Sequence, residues 1–247
     1  ILIEDGIDAV AFGVQIGHPK PGTLGDQSAS NTLTMTGGTL TTQGGFLFNV
    51  GRGRNPDSNP SHLVQFNMSG GLVNAAGITV PEAFNPDNVL GFTSGGLNAE
   101  MHVSGDAVIN TDLLRLGAAD ANSTVTLSDN AQINLTDDNM GFANGQLWLE
   151  SFEDLDDTRG VSVLDIRDNA VMTIHGGVNN VQDDQAASLA IIVDDLIPRG
   201  MIVGNGGANP ISATLANGVI TLRVIPEPTA AALMVLSCSL AMVRRRR

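Results

Sequence analysis

The sequence predicts an all-β fold: a right-handed parallel β-helix, a solenoid of about six irregular coils, with a short C-terminal transmembrane helix. Three observations predict it. A unit of apolar-x-apolar, a small polar residue and two turn formers recurs along the chain. A second unit, apolar-x-apolar-Gly, alternates with it. Helical periodicity is scarce ahead of the uncharged stretch at 229–243.

The copies run as follows. VQIG at 14–17 opens the series in the second pattern, and LTMTGG at 33–38 is the first copy of the first, with the β-prone TLTT resuming after it. FNVG at 48–51 precedes FNMSGG at 66–71, which leads into LVNA. ITVP at 78–81 fills the second unit's place in weaker form. MHVSGD at 101–106 leads into AVIN, and LRLG follows at 114–117. VTLSDN at 125–130 leads into AQIN, and LWLE at 147–150 is again a weaker copy. LDIRDN at 164–169, with Arg in the small polar place, leads into AVMT. MIVG at 201–204 and a degenerate ATLANG at 213–218, resumed by VITL, end the series.

Each copy is a strand with two inward side chains, closed by residues that tolerate positive φ. Such a strand buries nothing alone, but parallel stacking gives it a neighbour on each side and builds one continuous core. The tightest repeat, Met101 to Val125, spans 24 residues. Longer intervals carry their excess in loops at 55–61, 82–88, 150–159 and 182–187, which a stack tolerates. A β-sandwich is the alternative, since it also yields short alternating strands between turns. One turn sequence recurring at the same place in every copy favours the solenoid. In QAASLAIIVDDL at 185–196, the LAIIV centre reads as a buried strand rather than an amphipathic helix.

Charge narrows the partners. The formal net charge is −14, and without the four terminal arginines eight basic residues face 26 acids, which is −18. A surface that negative repels phosphate backbones and excludes nucleic acid as a partner. It tolerates cations, calcium above all, or a neutral or basic polymer. Cys238, inside the terminal apolar run, is the sole cysteine, so the body has no disulfide framework. Tyr is absent and Trp148 is the one tryptophan, which counts against a β-sandwich carbohydrate-binding module with an aromatic face. The opening, ILIEDGIDAV, has no Met and no basic n-region, so an N-terminal segment with its leader is expected to have been removed or to be missing.

The ending is unlike the rest. As a helix, 229–243 would span about 22 Å, short of the roughly 30 Å hydrocarbon core, so snorkelling arginine stems or local thinning must help. Arg244, Arg245, Arg246 and Arg247 would stay on the cytoplasmic side, with everything before Pro226 across the membrane. Pro226 and Pro228, flanking Glu227, forbid a helix running smoothly from body to membrane. Pro226-Glu227-Pro228, an apolar stretch and a terminal arginine cluster resemble a PEP-CTERM sorting signal. That resemblance implies an exported protein of a Gram-negative-type bacterium, made alongside exopolysaccharide or in a biofilm. It implies processing near Pro-Glu-Pro by an exosortase, a membrane-embedded transpeptidase-like enzyme. The short apolar run implies transient anchoring before release to the cell surface or matrix. The domains expected are a 1–225 ectodomain and a 226–247 sorting and anchor segment.

The body, across residues 10–225, resembles pectin-lyase-like and autotransporter-like β-helix repeats in pattern. The resemblance raises polysaccharide chemistry. Hydrolases similar to polygalacturonases combine Asn-Thr-Asp, Asp-Asp, Gly-His-Gly and Arg-Ile-Lys. Here Asn110-Thr111-Asp112 and several Asp-Asp pairs occur without the other two motifs, so Asn110–Asp112 read as turn residues. A lyase needs a base beside calcium-binding carboxylates. Arg115, Arg159 and Arg167 are available, and Asp154, Asp156 and Asp157 before Arg159 are the best calcium candidates, although their spacing fails the EF-hand pattern. His18, His62, His102 and His175 have no metal-ligand spacing, and His102 should point outward. Gly51-Arg52-Gly53-Arg54 is too small for a nucleic-acid surface. No catalytic residue and no firm cofactor emerge. The expected function is a structural or adhesive surface protein associated with extracellular polysaccharide, and the alternative is a polysaccharide lyase or hydrolase.

Overall fold

Alternation with a period of two decides which side chains turn inward, and short strands then survive only where neighbours cover them. The computed structural model describes residues 2–11, 13–16, 31–42, 48–50, 52–53, 63–80, 82–83, 98–117, 122–136, 145–149, 162–179, 181 and 183–226. These residues are mostly strand, arranged in parallel sheets.

The first sheet has, in order, Leu2–Ile3, Asn31–Met35, Leu63–Met68, Asn98–Val103, Ser123–Leu127, Ser162–Ile166 and Ile202–Gly204. The second runs Asp8–Ala11, Thr39–Thr42, Leu72–Ala75, Val108–Thr111, Gln132–Leu135 and Val171–Ile174, and closes with Val219–Val224 and Ile211–Ala216. The third runs Val14–Ile16, Phe48–Val50, Ile78–Val80, Leu113–Leu116, Gln146–Leu149 and Gly177–Val178. A minor pair, Arg52–Gly53 with Glu82–Ala83, extends beside the third. The chain thus visits the first, second and third sheets in turn before returning to the first. The first five copies of both units are placed by this circuit: the first unit's strand lies in sheet one, its resumed stretch in sheet two, and the second unit in sheet three. Among the described residues no pair of packed antiparallel sheets, as in a β-sandwich, is found. Every strand-to-strand pairing among the described residues is parallel except those made by Val219–Val224, and two isolated bridges, Val178 with Val181 and Gly204 with Asn209, are also antiparallel.

The core sits between the three sheets. Met35, Met68, Val103, Leu127 and Ile166 are successive register partners in sheet one, each at most 1% exposed. Leu33, Phe66, Met101, Val125 and Leu164 form the column beside them. Sheet two supplies Leu40, Val73, Ile109, Ile133 and Met172, and sheet three Phe48, Ile78, Leu114, Leu147 and Val178. Phe48 and Phe66 meet across the core with ring centroids 4.9 Å apart, tilted by 53°.

The turn formers have a physical reason. Gly105, Asp129, Asp168 and Asn205 all have positive φ, which Gly, Asn and Asp tolerate best. The side chains of Asp129, Asp168 and Asn205 then reach along the stack. The Gly105 N–H donates to Asp129 Oδ2 (2.9 Å), the Asp129 N–H to Asp168 Oδ2 (3.3 Å), and the Asp168 N–H to Asn205 Oδ1 (3.3 Å). Alongside, Asn130 Nδ2 donates to Asp106 Oδ1 and Asn169 Nδ2 to Asn130 Oδ1. Behind these corners Ala107, Ala131 and Ala170 are fully buried, small enough for the chain to bend over them.

Three expectations are corrected near the C-terminus. Residues 185–196 are not a strand preceded by a loop. Gln185–Ile191 is an α-helix continued by a π-helical segment, Ile192–Leu196. Asp184 caps it by accepting the Ala187 N–H, and Ser188, Ile192 and Leu196, each four residues apart, are its buried stripe. MIVG does not join the third sheet. Gly177–Val178 already fills that circuit's place in sheet three, so the next strand returns to sheet one, where Ile202–Gly204 pairs with Ser162–Ile166. ATLANG is not another parallel copy. Asn217 and Gly218 both have positive φ and form a two-residue turn joining antiparallel strands, the favoured hairpin geometry for Asn-Gly.

Among the described residues no helix is long and apolar enough to cross a membrane. Residues 229–243, where a span is expected, lie outside the described residues, as do the loops at 55–61, 84–88 and 150–159.

Candidate functional site

Outward positions alternate with the core positions, so each sheet offers a face patterned by its own columns. On sheet one, Gln65 and Glu100 are register partners, with Asn67 and His102 beside them. Gln65 Nε2 donates to Glu100 Oε2 at 2.9 Å, and His102 Nε2 lies 3.1 Å from the same oxygen. The amide of Gln65 and, more weakly, His102 outweigh partial burial and hold the Glu100 carboxyl below its ordinary range. His102 does point outward, with 41% of its side chain exposed. Two strands along its column is Asp165, which is buried although it faces away from the core. Arg167 Nε donates to Asp165 Oδ2 (2.8 Å) and the Gly206 N–H to Oδ1 (2.9 Å). Asp165 therefore ties the segment after Ile202–Gly204 onto the sheet.

On sheet two, the outward column is Thr41, Asn74, Asn110, Asn134 and Thr173. Asn110 Nδ2 donates to Asn74 Oδ1 (3.0 Å), Asn134 Nδ2 to Asn110 Oδ1 (3.1 Å), and Thr173 Oγ1 to Asn134 Oδ1 (2.9 Å). Asn110 and Thr111 are accordingly strand residues, and of 110–112 Asp112 alone makes a bend. The reading as turn residues fails because the ladder satisfies an amide that would otherwise favour a turn. Thr111 turns inward and donates to the Leu113 carbonyl (3.0 Å). On sheet three, Thr79 Oγ1 donates to Asn49 Oδ1 at 2.6 Å, both buried, and the Arg115 guanidinium sits 5.7 Å from the Trp148 ring centroid.

Chemically, Gln65–Glu100–His102 is a carboxylate with two hydrogen-bonding neighbours, able to hold or pass a proton. Glycosidases need two carboxyl groups facing one bond. Glu100 and Asp165 lie in different columns and belong to separate clusters. Of the arginines considered as bases, Arg115 lies over Trp148 and Arg167 clamps Asp165, while Arg159 lies outside the described residues. The calcium candidates Asp154, Asp156 and Asp157 also lie outside them, and among the described residues no three His, Cys, Asp or Glu gather to hold a metal. Pro226 is exposed and follows Val219–Val224 by one residue, with Ile225 N–H donating to the Pro210 carbonyl. Glu227, Pro228 and Arg244 to Arg247 fall beyond the described residues.

Sequence reasoning missed the Asn ladder and the Glu100 cluster. Aligning the resumed stretches TLTT, LVNA, VINT, QINL and VMTI places Thr or Asn at the third position of every one, and that signal was sufficient for the ladder. No family model, curated protein or solved structure matches the chain.

Proposed function

We propose that the chain is an exported bacterial surface protein with a structural or adhesive role, sorted by its tail and associated with extracellular polysaccharide. Its body, residues 1–225, is a right-handed parallel β-helix. The observation that carries this reading is the set of unbroken columns shared by strands visited in rotation, which end in a strand leading straight to Pro226. Right-handedness follows from the general preference of parallel crossovers. An exosortase acting near Pro226-Glu227-Pro228 would release a rigid, acidic prism whose polar faces meet the matrix.

Deleting 229–247 tests the sorting half. In a producing cell, the truncated product is expected in the medium, while the full chain is held at the envelope first. Unchanged retention in a fractionation assay would contradict this. A second reading, a polysaccharide-active enzyme, is favoured by the Gln65–Glu100–His102 cluster. New reducing ends or unsaturated products released by the wild type, and lost with Glu100→Gln, would select it.

A further inference from the structure

Resting on that reading of the body, we propose that the outward face of the second sheet is the polysaccharide-binding surface and that it takes a neutral polyhydroxyl chain. Three features of the face point there.

The first is unspent hydrogen-bonding capacity held in one orientation. An asparagine amide offers two donors and two acceptor lone pairs. Asn110 uses one donor toward Asn74 and one acceptor toward Asn134, and Asn134 uses one of each toward Asn110 and Thr173. Each therefore retains one N–H and one lone pair, and both side chains are half-buried rather than covered. The ladder already fixes their rotamers, so a ligand need not order them on binding. Rungs recur about every 4.8 Å, close to the length of one pyranose residue in an extended chain, so successive amides can meet successive sugars.

The second is the neighbouring column, Thr39, Leu72, Val108, Gln132 and Val171. Leu72 and Val108 adjoin as an apolar ledge beside the amides, with Val171 beyond Gln132, and this ledge suits the C–H faces of sugar rings. Ledge and ladder together are amphipathic in the same sense as a sugar.

The third is charge. Between Asp8 at one end and Arg223 at the other, the outward columns of this sheet contain no ionisable side chain. Glu100, His102 and Asp165 lie on the first sheet instead. In a chain that carries −18 apart from its four terminal arginines, a face without charge is a selective feature. An anionic chain meets no cation there and is repelled by the surrounding field, whereas a neutral chain is not.

Affinity electrophoresis of the full chain in detergent tests this, through gels containing hydroxyethylcellulose, dextran or soluble starch, each beside its carboxymethyl derivative. At least one neutral polymer is expected to retard the wild type, with its carboxymethyl form at least tenfold weaker. Asn110→Leu, and independently Val108→Lys, are expected to weaken retardation at least tenfold. Asn67→Leu, on the first sheet, leaves it unchanged, and circular dichroism confirms that each variant is folded. Retardation that survives both second-sheet variants overturns the face assigned here and leaves the polysaccharide reading standing. Equal or stronger retardation by the carboxymethyl forms overturns the neutral class. No retardation of the wild type by any polymer overturns the polysaccharide reading itself.

Discussion

Phe66→Ala is expected to lower the unfolding free energy by about 3–5 kcal/mol, the range for emptying a fully buried aromatic position. Phe66 has no exposed surface, stands between Leu33 and Met101 in its column, and packs against Phe48 from the third sheet. Truncation removes three contributions at once: transfer of the ring from water, contacts to the columns on either side, and the Phe48 pairing. Stacked strands on both sides hold their spacing through backbone bonds, so the cavity cannot collapse without disturbing the ladder. Denaturant unfolding followed by circular dichroism reads the effect as a lowered midpoint. Leu2→Ala is the comparison, since Leu2 is 54% exposed at the start of the first sheet, and it is expected to change stability by under about 0.5 kcal/mol. Equal shifts for the two variants would mean that the columns are not the core.

Gly71→Ala is expected to cost about 3 kcal/mol or more, beyond the roughly 1–2 kcal/mol of a left-handed backbone alone. Gly71 has φ +85°, and a Cβ there would lie 2.5 Å from the Gly38 carbonyl oxygen and 2.7 Å from the Gly37 carbonyl carbon. Both are backbone atoms of the preceding corner, and they cannot swing away as a side chain could. Gly218 separates the two causes. It also has positive φ, +76°, but nothing lies within 4 Å of its Cβ position. Gly218→Ala should therefore lose the conformational part alone, in the same denaturation assay. A Gly71 variant no worse than the Gly218 variant would show that the corners do not stack closely.

Much of this fold was legible because the stack repeats its physics. A corner needs positive φ and so a Gly, Asp or Asn that tolerates it, and TGG, SGG, SGD, SDN and RDN announce such a bend in each circuit. Inward pairs such as Leu127 with Val125 follow from alternation. What local pattern could not distinguish was the sheet to which a strand belongs. MIVG and LRLG read alike, but Gly177–Val178 already holds that circuit's place in sheet three, so the first of them falls to sheet one. The helix at 185–196 was obscured by Ile191, Ile192 and Val193, β-branched residues that suit a strand, while Asp184 and the four-residue spacing of Ser188, Ile192 and Leu196 carried the opposite signal. The Glu100 cluster joins Gln65 to residues 35 positions later, and only the register of the sheet brings them together.

Successive circuits must lie in the stated register for any of this to hold, and engineered disulfides measure register directly. In a Cys238→Ser background, Val108→Cys with Gln132→Cys joins register partners. Such partners are about 4.8 Å apart, within the roughly 4.4–6.8 Å that a disulfide bridges. Val108→Cys with Asn134→Cys is the diagonal control, at about 8 Å and beyond reach. Mild oxidation is expected to cross-link the first pair within one chain, seen as a reductant-sensitive mobility shift, and to leave the control open. A control that closes as readily, or a first pair that never closes, would contradict the stacked register.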